Sequence, residues 1–114
     1  MRNPHERLLD ILESIAAIEK YAERGREAYD RDELIRAWMY RHLEIIGEAS
    51  RELPSDLRDR HPEVEWQRII GMRHRFVHHY YIINVEVVWQ AVVSSVPAFK
   101  PQVEAMLAEF EAEE

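Results

Sequence analysis

Apolar residues recur along this chain at intervals of three and four. Leu8, Ile11, Leu12, Ile15 and Ile18 form the first such stripe, the spacing of a helix that buries one face. Ahead of it, Asn3-Pro4-His5-Glu6 reads as a helix start, with an amide N-cap, Pro at the first helical position and Glu closing a capping box. Gly25 is a natural C-cap. Asp30 with Glu33 repeats the start signal, and Leu34, Ile35, Trp38, Ile45, Ile46, Ala49 and Leu53 make a broad second stripe ending at Pro54. Residues 55–62 form a polar connector with room for a short turn. A third helix is expected from Glu65 or Trp66 to about His79. Asn84 caps a fourth, whose apolar positions Val85, Val88, Trp89, Val92 and Val96 continue to Phe99, Val103, Met106 and Phe110. Pro97 and Pro101 should kink or split it. Tyr80-Tyr81-Ile82-Ile83 is β-prone but lies between two helices, and neither a strand pattern nor a repeat emerges. The pattern predicts an all-α, antiparallel helical bundle.

Composition changes this picture in three ways. At 114 residues the chain is one expected domain, 1–114, with a core small enough for self-association to help it. The absence of cysteine removes disulfides and thiolate chemistry and fits a reducing cytoplasm. The first residues turn amphipathic at once, so no signal peptide is expected, and no apolar run approaches the ~20 residues of a membrane span. The net charge of −7 argues against indiscriminate binding to a polyanion. Its distribution says more. From Trp66 to Val85 there is no Asp or Glu, while Arg68, Arg73, His74, Arg75, His78 and His79 all fall there. The acidic surplus lies elsewhere, heavily in residues 109–114.

The candidate chemistry sits in that basic island, in Arg73-His74-Arg75-Phe76-Val77-His78-His79-Tyr80. Metal-free RNA cleavage needs a base for the 2′-hydroxyl, an acid for the leaving oxygen and cationic donors for the crowded phosphate. Histidine suits the first two roles because it titrates near neutrality. Arginine suits the last because its planar fork grips phosphate oxygens in two directions. On one straight helix, at about 100° per residue, Arg73 and Tyr80 fall within about 20° of each other, while His78 is about 140° from Arg73. Either the helix unwinds near Val77, or two copies meet across a two-fold axis and one protomer's Arg complements the other's His.

Blander roles compete. Arg and His near a helix C-terminus also complement its dipole. Arg75 and His79 read as solvated, RNA-facing charges, His42 as a satisfied core or interface histidine, and Trp38, Trp66 and Trp89 as core. His74 and His78 have the i, i+4 spacing of a zinc pair, but no third ligand stands out, so neither metal nor cofactor is expected.

The Arg-x4-His-x-Tyr pattern, with a polar residue directly after the Arg, resembles the signature of the HEPN superfamily. More closely it is similar to the HepT-like (DUF86) toxins partnered by a minimal nucleotidyltransferase. The run Leu43-Glu44-Ile45-Ile46-Gly47-Glu48-Ala49, then Leu53-Pro54, His61-Pro62-Glu63, Trp66 and Gly71-Met72-Arg73, carries the likeness over roughly Leu8 to Leu107. The resemblance implies a four- to five-helix bundle that dimerises through its motif helix, and a metal-independent ribonuclease toxin. It also implies neutralisation by the nucleotidyltransferase antitoxin, which attaches AMP to the motif tyrosine. Carried over, Arg73 and His78 are catalytic, His74 is the polar follower and Tyr80 the modified residue; His74, Arg75 and His79 are candidates for RNA contact. The expected partners are RNA, such as tRNA or mRNA, the antitoxin, and a second copy of the chain, with room for a larger hetero-oligomer and no membrane. This chain departs from the family at His74, where Asn is commoner, and at His79, where Asp is usual. The competing class is a silent binding module that docks a nucleotidyltransferase or a nucleotide; the presence of Arg73, His78 and Tyr80 together favours the enzyme.

Overall fold

The computed structural model describes residues 2–73 and 84–113. Helix α1 spans Pro4–Ala22, α2 Gly25–Arg31, α3 Glu33–Arg51, α4 Ser55–Asp59, α5 Trp66–Gly71, α6 Val85–Gln90 and α7 Val96–Glu113, with a π-helical turn at Ala91–Ser95 between the last two. No strand occurs among the described residues. The all-α architecture predicted from the apolar spacing is the one observed.

The start signals act as read. The Asn3 side chain accepts the Glu6 N–H at 2.8 Å, and Asn84 accepts the Val87 N–H at 3.1 Å. The start of α3 lies two residues later than expected: Asp32, not Asp30, caps it, accepting the Leu34 N–H at 2.9 Å. Asp30 instead lies in the last turn of α2, a short helix not separated by the sequence pattern, where it accepts from Arg26 at 2.7 Å. Gly25 takes φ +85° in the turn that opens α2, a conformation that favours glycine.

Helix α1 packs between α3 and α7, and α3 also packs on α5. One cluster holds the core: Leu8, Ile11, Ile15 and Ile18 of α1 meet Met39, Leu43 and Ile46 of α3 and Phe99, Val103 and Met106 of α7. Two positions of the second stripe face outward instead. Leu34 is 75% exposed, and Trp38 is 40% exposed although it was expected in the core. Met39 and Leu43 take the inward positions, and the Trp38 indole lies along the α1–α3 seam, donating to the Ala17 carbonyl at 2.8 Å. Trp66 and Trp89 do pack against the core.

Two sets of polar contacts hold the starts of α5 and α6. His61, buried after α4, contacts Glu63 through Nδ1 and Glu109 of α7 through Nε2, both at 3.1 Å. The Trp66 indole donates to the His61 carbonyl at 2.9 Å, fixing the entry to α5. On the far side, Tyr29 of α2 donates to the Val85 carbonyl at 2.7 Å and Arg26 grips Glu86 at 2.7 Å and 2.9 Å. The start of α6 is thereby tied to α2. The long last helix is interrupted ahead of Pro97 but not at Pro101. Pro97 offers no N–H to the Val93 carbonyl, and the Val96 N–H bonds back to Ala91 across the π turn. Pro101 lies inside α7.

Candidate active site

Helix α5 lies with its last turn pressed against α3. A Cβ placed on Gly47 of α3 would lie 2.6 Å from the Arg73 backbone nitrogen and 3.1 Å from the Ile69 and Ile70 carbonyl oxygens. Only a glycine admits so close an approach of backbone. Helix α5 closes at Gly71, and the N–H groups of Met72 and Arg73 turn back onto Ile69 and Ile70 at 3.1 Å and 3.3 Å. These three-residue bonds are a tightened last turn. The expected helix from Trp66 to about His79 therefore already leaves α-helical geometry at Met72 and Arg73, earlier than the break considered at Val77.

Arg73 is half-buried, and its Nη1 meets Glu48 Oε2 at 3.5 Å. Glu48 also accepts from Arg51 at 2.7 Å; Arg51 in turn contacts Glu52, which lies 3.9 Å from Arg7 of α1. The hydrogen bond from Arg51 holds the Glu48 carboxyl below its ordinary value, with Arg73 adding to the effect against a partial desolvation. Glu48 is thus a carboxylate that holds Arg73 loosely while Arg51 holds it firmly. Arg73 Nε is buried without a hydrogen-bond partner among the described residues. A guanidinium with a desolvated stem and spare donors attracts an anion more strongly than a solvated one.

The Arg73 side chain opens onto a cleft of about 490 Å³ between α1 and α3. Arg7, Asp10, Glu13 and Ser14 line it from α1, and Arg41, His42, Glu44, Ile45, Glu48 and Ala49 from α3. At the end away from Arg73, His42 Nδ1 lies 3.1 Å from the buried Ser14 hydroxyl. The Trp38 ring meets the imidazole edge-on at 4.5 Å. Burial and the Arg41 charge lower the His42 pKa, against a smaller pull from Glu13. His42 is therefore neither a fully buried core residue nor a free surface one.

Of the residues singled out in the sequence, Arg73 has this described environment. His74, Arg75, His78, His79 and Tyr80 lie outside the described residues. Sequence reading gave no role to Glu48 or to the Ser14–His42 pair. Glu48 follows Gly47 directly, so the glycine that admits α5 was the available signal for its neighbour.

Residues 11–106 match the family described as Ribonuclease HepT-like. The chain belongs to that family. It is 35% identical over 108 residues to a "Probable ribonuclease HepT" of Thermococcus cleftensis, covering 93% of this chain and 98% of that protein. It is 38% identical over 98 residues to a "Putative RNase" of Methanocaldococcus jannaschii, covering 85% and 90%. A third relative, a "Putative RNase" of Caldanaerobacter subterraneus subsp. tengcongensis, is 32% identical over 108 residues, covering 94% and 96%. No solved structure matches. No described helix is long and apolar enough to cross a membrane.

Proposed function

We propose that this HepT-like protein is the toxin of a toxin–antitoxin pair and cuts cellular RNA, such as tRNA or mRNA, without a metal ion at Arg73 and His78. The observation that supports it best is Arg73 itself, a half-buried guanidinium lining a cleft and held loosely, among the described residues, by the Glu48 carboxylate. In the proposed reaction His78 takes the proton of the ribose 2′-hydroxyl. The 2′-oxygen closes on phosphorus, the bond to the 5′-oxygen breaks, and protonated His78 returns the proton to that oxygen. Arg73 stabilises the charge that builds on the phosphate oxygens. His74, Arg75 and His79 would contact flanking phosphates.

The active form is a homodimer joined through the motif segment, with Arg73 of one protomer complementing His78 of the other. Co-expression of Arg73→Ala and His78→Ala chains, each inactive alone, tests this. In a heterodimer one of the two composite sites is whole, so a statistical mixture should recover about a quarter of wild-type cleavage. A mixture that pull-down shows to contain heterodimers, yet which stays inactive, would place Arg73 and His78 in the same protomer's site.

Control of the toxin belongs to the same proposal. A nucleotidyltransferase antitoxin transfers AMP from ATP to the Tyr80 hydroxyl, forming a phosphodiester as pyrophosphate leaves. The added phosphate would pair with Arg73 and the neighbouring histidines where RNA must sit. Intact-mass analysis after co-expression should show AMP additions mapping to Tyr80, with loss of RNase activity, and Tyr80→Phe should escape them. Additions on Tyr81, or inhibition of unmodified protein, would instead indicate another acceptor or steric blockade.

A further inference from the structure

Arg73 is not the only weakly held arginine of the α1–α3 cleft. Arg7 of α1 lines it as well. Its side chain is 20% exposed, and its one polar contact among the described residues is an ion pair with Glu52 at 3.9 Å. That separation is too long for a hydrogen bond, so the guanidinium keeps its donors for another acceptor. Arg41, the third arginine of the lining, differs. It is 69% exposed, and water competes for it far more effectively.

Arg7 and Arg73 are the two ends of one alternating chain of charges. Arg73 meets Glu48 at 3.5 Å, Glu48 meets Arg51 at 2.7 Å, Arg51 meets Glu52 at 2.5 Å, and Glu52 approaches Arg7 at 3.9 Å. The short contacts are in the middle and the long ones at the ends. Arg51 thus engages both carboxylates, and each outer arginine is held weakly. Three guanidinium groups share two carboxylates, which leaves one positive charge in surplus. Glu48 and the α3 cap Glu52 are four residues apart, about 6 Å along the helix axis, of the order of one nucleotide unit in an extended strand. The other acids of the lining are engaged or farther off. Asp10 is paired with Arg2 at 2.6 Å, while Glu13 and Glu44 lie a helical turn or more from Arg7 and Glu48 along their helices.

We infer that Arg7 holds a second phosphate of the RNA strand, next to the one at Arg73, an inference that rests on the ribonuclease reading and extends it to how the strand is registered. Arg51 is the positioning residue: by holding Glu48 and Glu52 it keeps the two outer arginines available. A phosphodiester brings its charged oxygens to hydrogen-bond distance of the Arg7 fork, where Glu52 reaches only 3.9 Å, so the strand wins that competition. Contacts of this kind fix register and orientation without reading sequence. Two of them along one cleft define the direction of the strand past Arg73, which a single phosphate contact cannot do.

Binding of an uncleavable trinucleotide tests the contact apart from catalysis. A 2′-O-methyl uridine trimer lacks the attacking hydroxyl and carries two phosphates; replacing either linkage by an uncharged methylphosphonate leaves one. The wild-type protein should bind the doubly charged trimer about tenfold more tightly than either singly charged analogue. Arg7→Gln should erase that preference and lower the salt slope of trimer binding by about 0.7, with Arg7→Lys retaining part of it. Arg31→Gln, the same charge change on α2 outside the cleft, should leave the preference intact. Glu52→Gln removes the competing charge without touching Arg7 and should enlarge the preference, a result that does not depend on the Arg7 variant folding. Equal binding of the three probes by wild type, or no binding at all, overturns the second phosphate contact. So does a preference that a folded Arg7→Gln protein keeps, that Arg31→Gln also erases, or that Glu52→Gln leaves unchanged. Those failures in a protein that cleaves RNA remove the contact alone, whereas an Arg7-dependent preference in a protein unable to cleave RNA removes the reaction and leaves the contact standing.

Discussion

His78→Ala and Arg73→Ala will each lower RNA cleavage by about 10²–10⁴-fold while the bundle stays folded. The magnitude is that of losing a general acid–base group or a phosphate-stabilising donor. For Arg73, folding should survive because its side chain does not belong to the core built from α1, α3 and α7. The Arg73 ion pair with Glu48 is part-exposed and weak, so its loss costs at most about 1 kcal/mol. Circular dichroism and thermal melts alongside the cleavage assay separate loss of chemistry from loss of structure. Retained cleavage in both variants, or cleavage that depends on added divalent metal, would remove the proposed reaction from this site.

Gly47→Ala should reduce activity by about 10²-fold and lower the melting temperature. An alanine in the middle of a helix normally gains up to about 1 kcal/mol over glycine. Here the new Cβ would lie 2.6 Å from the Arg73 backbone nitrogen and 3.1 Å from two α5 carbonyl oxygens. All three are backbone atoms, so no flexible side-chain tip can move aside. Helix α5 must shift away from α3, and such overpacking costs about 1–3 kcal/mol. The strain outweighs the propensity gain, and the melt reads the difference. Arg73 rides on the displaced turn, and a misplacement of about 1 Å of a reacting group can cost about 10²-fold in rate. An alanine variant that is more stable than the parent and fully active would show that the α3–α5 contact does not set the position of Arg73.

Much of this arrangement was legible because it depends on local signals. Asn3 and Asn84 mark helix starts through a side chain that caps an N–H three residues on, and Leu8, Ile11, Ile15 and Ile18 of α1 are buried as their spacing requires. Helix α2 was not separated from its neighbours because seven residues carry too little periodicity; its place is set by Tyr29 and Arg26 reaching α6, over 50 positions away. Asp30 and Asp32 are equally good caps on paper, and the long-range packing of α2 decides between them. Trp38 looked like core because the stripe of α3 is broader than the face that α1 covers. The close approach of the last turn of α5 depends on Gly47 of another helix, a contact no local pattern announces. The motif could be read as chemistry from residue types alone, whereas the cleft beside Arg73 needed Ser14 and His42 from two helices.

Attack of an RNA 2′-hydroxyl without metal, at a site containing Arg73 and His78, leaves a signature in the product ends. The most direct test is to incubate the purified protein with RNA in excess EDTA and identify the ends of the products by mass spectrometry. Cleavage should leave 2′,3′-cyclic or 3′-phosphate on one fragment and a 5′-hydroxyl on the other. Cleavage only after divalent metal is restored, or fragments bearing 5′-phosphate and 3′-hydroxyl ends, would contradict it.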